Sequence, residues 1–184
     1  APHTLSLGGS ASNTIRALAR MGASTGYIGK IGRDETGDFF ERTLNELQIA
    51  PTVFRGDEPS GRCVSLVSPD GERTMCTYLG AALEMRHTEL TPEIFDGYEY
   101  FYIEGYLVQD HELISNAVRI AKERGLQVAL DLASFNIVEE NLGFLHDLVD
   151  RHVDILFANE QEAAAFTGEK NPLEALDKIA RKCS

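Results

Sequence analysis

Two short runs carry residue types that could do chemistry. In Gly8-Gly9-Ser10-Ala11-Ser12-Asn13, two adjacent glycines ahead of a helix would let a ligand approach bare backbone N–H groups closely. Asn13 would lie in that helix's first turn, about 200° around the axis from Ile15 and so away from the apolar face. Its carboxamide can donate to one hydroxyl and accept from its neighbour, which suits a vicinal diol. The same run also reads as a tight turn followed by an exposed Asn. In the second run, Asn159-Glu160-Gln161-Glu162, Asn159 and Glu162 would share one face of a first helical turn. Such a pair could orient the water shell of Mg²⁺ beside a nucleotide's phosphates, because Mg²⁺ keeps several waters. It is equally the pattern of a capping box. Asp131 and Phe135, at and after a strand end, read either as groups aimed at a ligand crevice or as a loop-start Asp with a packing Phe.

The elements that must position these residues follow from pattern. Ser10 as N-cap opens a helix over Ala11–Met21 with Ile15, Leu18 and Ala19 on its apolar face, and Gly22 ends it. Thr25–Ile28 reads as a strand and Gly29–Gly37 as a loop. A helix over Asp38–Leu47 would bury Phe39, Phe40, Leu44 and Leu47. Cys63–Val67 and Thr74–Tyr78 flank the turn Pro69-Asp70-Gly71 and predict a β-hairpin. Further on, strands are expected at Tyr100–Glu104, Gln127–Asp131 and Asp154–Ala158. The helix His111–Arg124, capped by Asp110 and closed by Gly125, would bury Leu113, Ile114, Ala117, Val118 and Ala121. Other helices are expected at Leu142–Val149, Gln161–Phe166 and Leu173–Lys182. Strands that begin at positions 100, 127 and 154 leave room for β-α-β crossovers, so the fold class is α/β with a doubly wound parallel sheet. The organisation expected is one partial domain over 1–184, with β-lid segments at about 51–80 and an α/β core at about 98–184.

Composition narrows the classes. With 29 acidic against 17 basic residues the formal charge is −12, which repels a phosphate backbone and argues against nucleic acid as a partner. No apolar run is long enough to span a bilayer, so a membrane is not expected and the cytoplasm is the default. Cys63, Cys76 and Cys183 lack Cys-x-x-Cys spacing and read as reduced, buried or half-buried thiols. The five histidines, His3, His87, His111, His146 and His152, show no metal-ligand spacing and read as surface residues. Gly29-Lys30 has Ser24 where a phosphate loop needs glycine, and no Gly-x-Gly-x-x-Gly follows a strand. P-loop NTPases and dinucleotide-dependent oxidoreductases are therefore disfavoured.

Taken together, Gly-Gly-x-Ala-x-Asn at 8–13, then Gly22, then Gly32 nine residues later, resembles the first signature of the ribokinase-like (PfkB) family, and Asn159-x-x-Glu162 resembles its Asn-x-x-Glu motif. Ser10 stands where typical ribokinases carry Lys. With Phe157-Ala158-Asn159-Glu160-Gln161-Glu162-Ala163, the form is most similar to the adenosine kinases within that family. The resemblance implies a ribokinase-like fold with a small β lid and an ATP- and Mg²⁺-dependent transfer of phosphate to a primary hydroxyl of a nucleoside or sugar. It implies that Gly9 and Asn13 hold ribose hydroxyls and that Gly8-Gly9 is a hinge for lid closure. Asn159 and Glu162 would organise Mg²⁺ and phosphate, with no direct metal ligand. Cys63, Leu79, Ala81, Tyr106 and Phe135 would wall the acceptor's base. A homodimer through lid strands is a family habit that the Cys63–Tyr78 hairpin could supply. The family's Gly-Ala-Gly-Asp run, with the catalytic Asp, does not occur in the chain and is expected beyond Ser184, so these residues alone are expected to be inactive. The alternative is a non-catalytic α/β module that binds a nucleoside or sugar.

Overall fold

In a computed structural model that describes residues 6–183, the chain divides into two units, Ala1–Met85 and Arg86–Ser184. The first begins its regular structure at a glycine. Gly9, at φ 101° and ψ 139°, is the N-cap of α1 (Ser10–Arg20). Ser10 is thus the first helical residue and not the cap, because the cap backbone takes a conformation that only glycine adopts without strain. Ile15 and Ala19 pack partly buried against the core of Leu7, Leu44 and Ile49. Leu18, expected on the same face, is exposed, since its rotation puts it at the edge of the stripe. Gly22, at φ 90°, follows the helix end as expected.

β1 (Gly26–Ile31) runs into the segment expected to be loop. It pairs in parallel with β2 (Ala50–Arg55), from Gly26 opposite Ala50 to Ile31 opposite Arg55. The connecting α2 (Glu35–Glu46) starts three residues earlier than the expected Asp38, because the Asp34 side chain accepts from Gly37 N and caps it. Its Leu44 is fully buried. β3 (Arg62–Val67) and β4 (Arg73–Tyr78) form the expected antiparallel hairpin. Every residue of both strands is exposed. Cys63 stands opposite Thr77 and Val64 opposite Cys76, so the two thiols leave from opposite faces. Cys63 and Cys76 are therefore exposed, against the expectation of buried thiols. They lie on a ribbon that has solvent on both sides. A short 3₁₀ helix, Gly80–Glu84, follows.

The second unit is built on β5 (Tyr100–Glu104), β6 (Gln127–Asp131) and β7 (Ile155–Phe157), all parallel, in the order β5-β6-β7. Between β5 and β6 lies α3 (His111–Glu123), capped by Asp110 Oδ1, which accepts from Leu113 N at 3.0 Å. α4 (Phe135–Glu140) and α5 (Leu142–His152) precede β7, and α6 (Glu160–Thr167) and α7 (Pro172–Ala180) follow it. Ile103, Val118, Val128, Leu130, Val138, Leu145 and Phe166 are all but inaccessible and form the core. Asp154 closes the start of β7 by accepting from Lys122 Nζ at 2.7 Å and from Val128 N at 2.6 Å. Strands alternating with helices in a parallel sheet match the α/β reading. Among the described residues no helix is long and apolar enough to cross a membrane.

Candidate functional site

In the first unit the glycine run is open. Among the described residues a Cβ on Gly8 would meet nothing within 4 Å, and one on Gly9 only the Ser12 Cβ at 4.0 Å. Packing among the described residues therefore leaves room for a ligand on the side-chain side of both glycines. Ser12 is buried and its hydroxyl donates back to Gly8 O at 3.0 Å, bracing the turn. Asn13 is exposed, as its rotation predicted. Its Oδ1 accepts a long bond from Arg16 Nη1 at 3.4 Å, and the same Nη1 donates to Leu7 O at 2.9 Å. The run thus has an accessible carboxamide beside accessible backbone at the N-terminus of α1.

The residues read as wall positions in this unit differ among themselves. Cys63 Sγ accepts from Thr77 Oγ1 at 3.3 Å on the exposed hairpin. Leu79, just after β4, is 48% exposed. Ala81 is wholly buried, and its N–H donates to Pro59 O at 2.9 Å. Its methyl thus packs inside the unit and offers no surface in this conformation.

Sequence reasoning missed a cluster where the hairpin is rooted. Asp34 Oδ1 accepts from Gly37 N at 2.8 Å and from Ser60 Oγ at 2.5 Å, while Oδ2 accepts from Ser60 N at 2.9 Å. Ser60 Oγ in turn accepts from Gly32 N at 2.9 Å. Burial pushes the Asp34 carboxyl up. The bonds from Ser60, Gly37 and Arg62 outweigh it and hold the group at about 2. Glu84 Oε2 accepts from Asp57 N at 2.8 Å and Glu58 N at 3.3 Å. The available signal was Asp34-x-x-Gly37, an Asp three residues before the N–H it caps.

In the second unit the strand ends carry the candidates. Asp131 Oδ2 accepts from Tyr102 Oη at 3.0 Å, and Oδ1 from Ala133 N at 2.9 Å, where Ala133 sits at φ 61°. Gly105 lies so close that a Cβ there would be 2.3 Å from Asp131 O, which is why the turn after β5 takes no side chain at this point. Tyr106 and Phe135 are 50% and 42% exposed. Asn159 caps α6: its Oδ1 accepts from Gln161 N and Glu162 N, both at 2.9 Å. Glu162 Oε2 accepts from Asn159 N at 2.9 Å and Oε1 from Asn159 Nδ2 at 2.6 Å. The capping-box geometry is thus complete. It also holds a buried carboxylate rigidly beside the carboxamide, with a second lone pair left on each carboxylate oxygen.

The histidines are not all surface residues. His146 is half-buried with its ring 4.4 Å from Phe166, whereas His111 is exposed as expected and stacks on Phe144 at 4.0 Å. His3 lies outside the described residues. Among the described residues no group of three or more His, Cys, Asp or Glu side chains could hold a metal ion.

The family profile described as pfkB family carbohydrate kinase matches residues 3–183. A guanosine-inosine kinase of Escherichia coli is 33% identical over 66% of this chain, and an adenosine kinase of Dictyostelium discoideum 31% identical over 95% of it. The chain spans 30% of the length of the first and 54% of the second. The crystal structure of adenosine kinase from Sinorhizobium meliloti superposes with a TM-score of 0.87 at 32% identity, covering 96% of this chain and 56% of that one.

Proposed function

The chain belongs to the PfkB family of carbohydrate kinases, and from that premise we propose that it is part of an ATP-dependent phosphotransferase acting on a primary hydroxyl of a nucleoside, adenosine-like in the first instance, or of a sugar. The observation that carries this reading is the open run at the start of α1. Among the described residues nothing crowds Gly8 and only Ser12 borders Gly9, and Asn13 is exposed beside them. In the proposal Gly9 and Asn13 take the acceptor's vicinal hydroxyls, and Gly8-Gly9 is the hinge of lid closure. Cys63, Leu79, Tyr106 and Phe135 flank the acceptor's base. Ala81 contributes there only if it is uncovered. The related proteins named as guanosine-inosine and adenosine kinases support a purine nucleoside, and those named as ribokinases support the sugar alternative.

The donor set at Asn159 and Glu162 suits a hydrated Mg²⁺ better than a directly bound one. Glu162 is 5% exposed and both its oxygens already accept a bond from Asn159. Their remaining lone pairs can accept from metal-bound water, in keeping with the ion's habit of retaining its shell. When bound, Mg²⁺ would neutralise charge on ATP's phosphates. The chain's own residues supply position and orientation, which dominate catalysis in phosphoryl transfer. The base that takes the acceptor's proton is assigned to the Asp of a Gly-Ala-Gly-Asp run, which does not occur in these 184 residues. The proposal places the protein in the cytoplasm and allows a homodimer through the β3–β4 hairpin.

Acceptor-dependent ADP release tests the reading. The complete protein, with ATP and Mg²⁺, is expected to favour adenosine, inosine or guanosine over ribose and fructose. The 184 residues alone are expected to give no turnover. Ribose or fructose outcompeting every nucleoside by orders of magnitude would overturn the acceptor assignment, and ordinary turnover by the 184 residues would overturn the division of labour.

A further inference from the structure

The residues 57–60, Asp-Glu-Pro-Ser, form a strap that leads from β2 into the hairpin. Pro59 has no N–H, so the strap owns three backbone donors. Glu84 accepts two of them, from Asp57 and Glu58, and Asp34 accepts the third, from Ser60. Every N–H of the strap therefore ends on a carboxylate, and charge-assisted bonds of this kind are the stronger ones. The strap's Pro59 carbonyl is also taken, by Ala81 N at 2.9 Å.

Both carboxylates belong to the framework of the first unit. Asp34 caps α2, and Glu84 ends the 3₁₀ helix, where its carbonyl accepts from Lys30 Nζ of β1 at 3.1 Å. The first cross-strand pair of the hairpin, Arg62 with Tyr78, is tied to the same place. Arg62 Nη2 reaches Asp34 Oδ2 at 3.4 Å, and Tyr78 Oη donates to Glu58 Oε2 at 2.9 Å. The fit leaves no slack. A Cβ on Gly56 would lie 2.1 Å from Glu84 Oε2, and one on Gly32 2.5 Å from Ser60 N. Beyond this root, no residue of either hairpin strand is buried. The direction of the hairpin is thus set where it leaves the unit.

We propose that Asp34 and Glu84 are positioning residues for acceptor capture: by taking every N–H of the strap they fix the root of the β3–β4 hairpin at the angle from which it closes on the acceptor. This rests on the kinase reading above. Neither carboxylate need touch the acceptor, and neither takes part in the transfer. Their effect falls on the affinity for the acceptor and spares both the chemical step and ATP.

Four variants of the complete protein separate this from a merely structural role. Glu84→Ala frees the Asp57 and Glu58 N–H groups, and Glu84→Gln keeps an amide oxygen to take them. Asp34→Ser keeps a hydroxyl to cap α2 and releases the Ser60 N–H, and Asp34→Ala loses both. Glu84→Ala and Asp34→Ser should each raise the acceptor KM about tenfold, with kcat and the KM for ATP within about threefold of the parent. Glu84→Gln should recover most of the loss, and Asp34→Ala, which also gives up the helix cap, should lower the melting temperature further than Asp34→Ser. Amide hydrogen exchange should quicken about tenfold across the hairpin in Glu84→Ala and not in Glu84→Gln. An unchanged acceptor KM, a parallel loss in kcat and both KM values, or no rescue by Gln would overturn the proposal. If the parent turns over no acceptor at all, the kinase reading fails, and exchange alone decides the strap: hairpin amides that stay as slow in Glu84→Ala as in the parent overturn it, and faster ones support it.

Discussion

The β3–β4 hairpin and the β5-β6-β7 sheet are both held by inter-strand hydrogen bonds, but the rest of the molecule supports them differently. In the hairpin Val64, Leu66 and Met75 are 57–61% exposed, and neither face has a partner element among the described residues of its strands. In the sheet Ile103, Val128 and Leu130 are at most 2% exposed. Apolar side chains at comparable places in a strand therefore do different things. Those in the sheet hold the unit together, at roughly 25 cal/mol for each Å² taken from water. Those in the hairpin contribute little to folding and keep a ribbon in reserve for whatever it meets. A region free of burial can only be placed by its attachment, and here polar bonds among residues 32–37, 57–60 and 78–84 make that attachment.

The contrast can be broken at either end. Leu130→Ala, which empties a fully buried position in β6, should cost about 2–5 kcal/mol of stability, read from urea or thermal unfolding. A loss below about 1 kcal/mol would mean the sheet is not carried by burial. At the hairpin root, Asp34 is held at about 2, well below an ordinary Asp at about 3.9. A carboxyl depressed on folding adds stability that is fully present above the unfolded value and is lost as pH falls through the folded one. Asp34 should therefore contribute about 2 kcal/mol at neutral pH, fading between about pH 4 and pH 2. The gap in unfolding midpoint between the parent and Asp34→Ala should narrow over that window, and a gap that stays constant would sink the assignment. Smallest is Leu66→Ala on the hairpin, expected within about 0.5 kcal/mol. A larger loss would show that the ribbon already has a partner.

How far the sequence could be read follows the same division. Tyr100–Glu104 and Gln127–Asp131 were legible to the residue and the helix begun by Asp110 to within one residue at its end, because a capping Asp, a closing Gly125 and buried apolar runs all agree there. The hairpin was legible from its turn residues and alternating strands. β2 was not singled out, since Pro51 sits at its second position and proline argues against a strand. α4 escaped because it has only six residues and opens after Ala133 at φ 61°, with no side-chain cap at Ser134. For the site, the openness of Gly8-Gly9 and the exposure of Asn13 followed from composition and rotation. Asn159 and Glu162 were paired by spacing, although spacing does not reveal that the carboxylate is buried and doubly bonded. The strap was invisible, because carboxylates 26 and 27 residues from the N–H groups they take, Asp34 to Ser60 and Glu84 to Asp57, leave no local pattern.

The strand register of the hairpin has one practical outcome for thiol chemistry. Cys63 and Cys76 sit on adjoining strands but leave from opposite faces, so oxidation cannot staple the ribbon to itself, and any disulfide made by either must join it to something else. Both sulfurs are open to reagent. A maleimide probe on Cys63 would report on one side of the ribbon and a probe on Cys76 on the other. Contact quenching or protection from alkylation would then tell which side becomes covered, and by what addition.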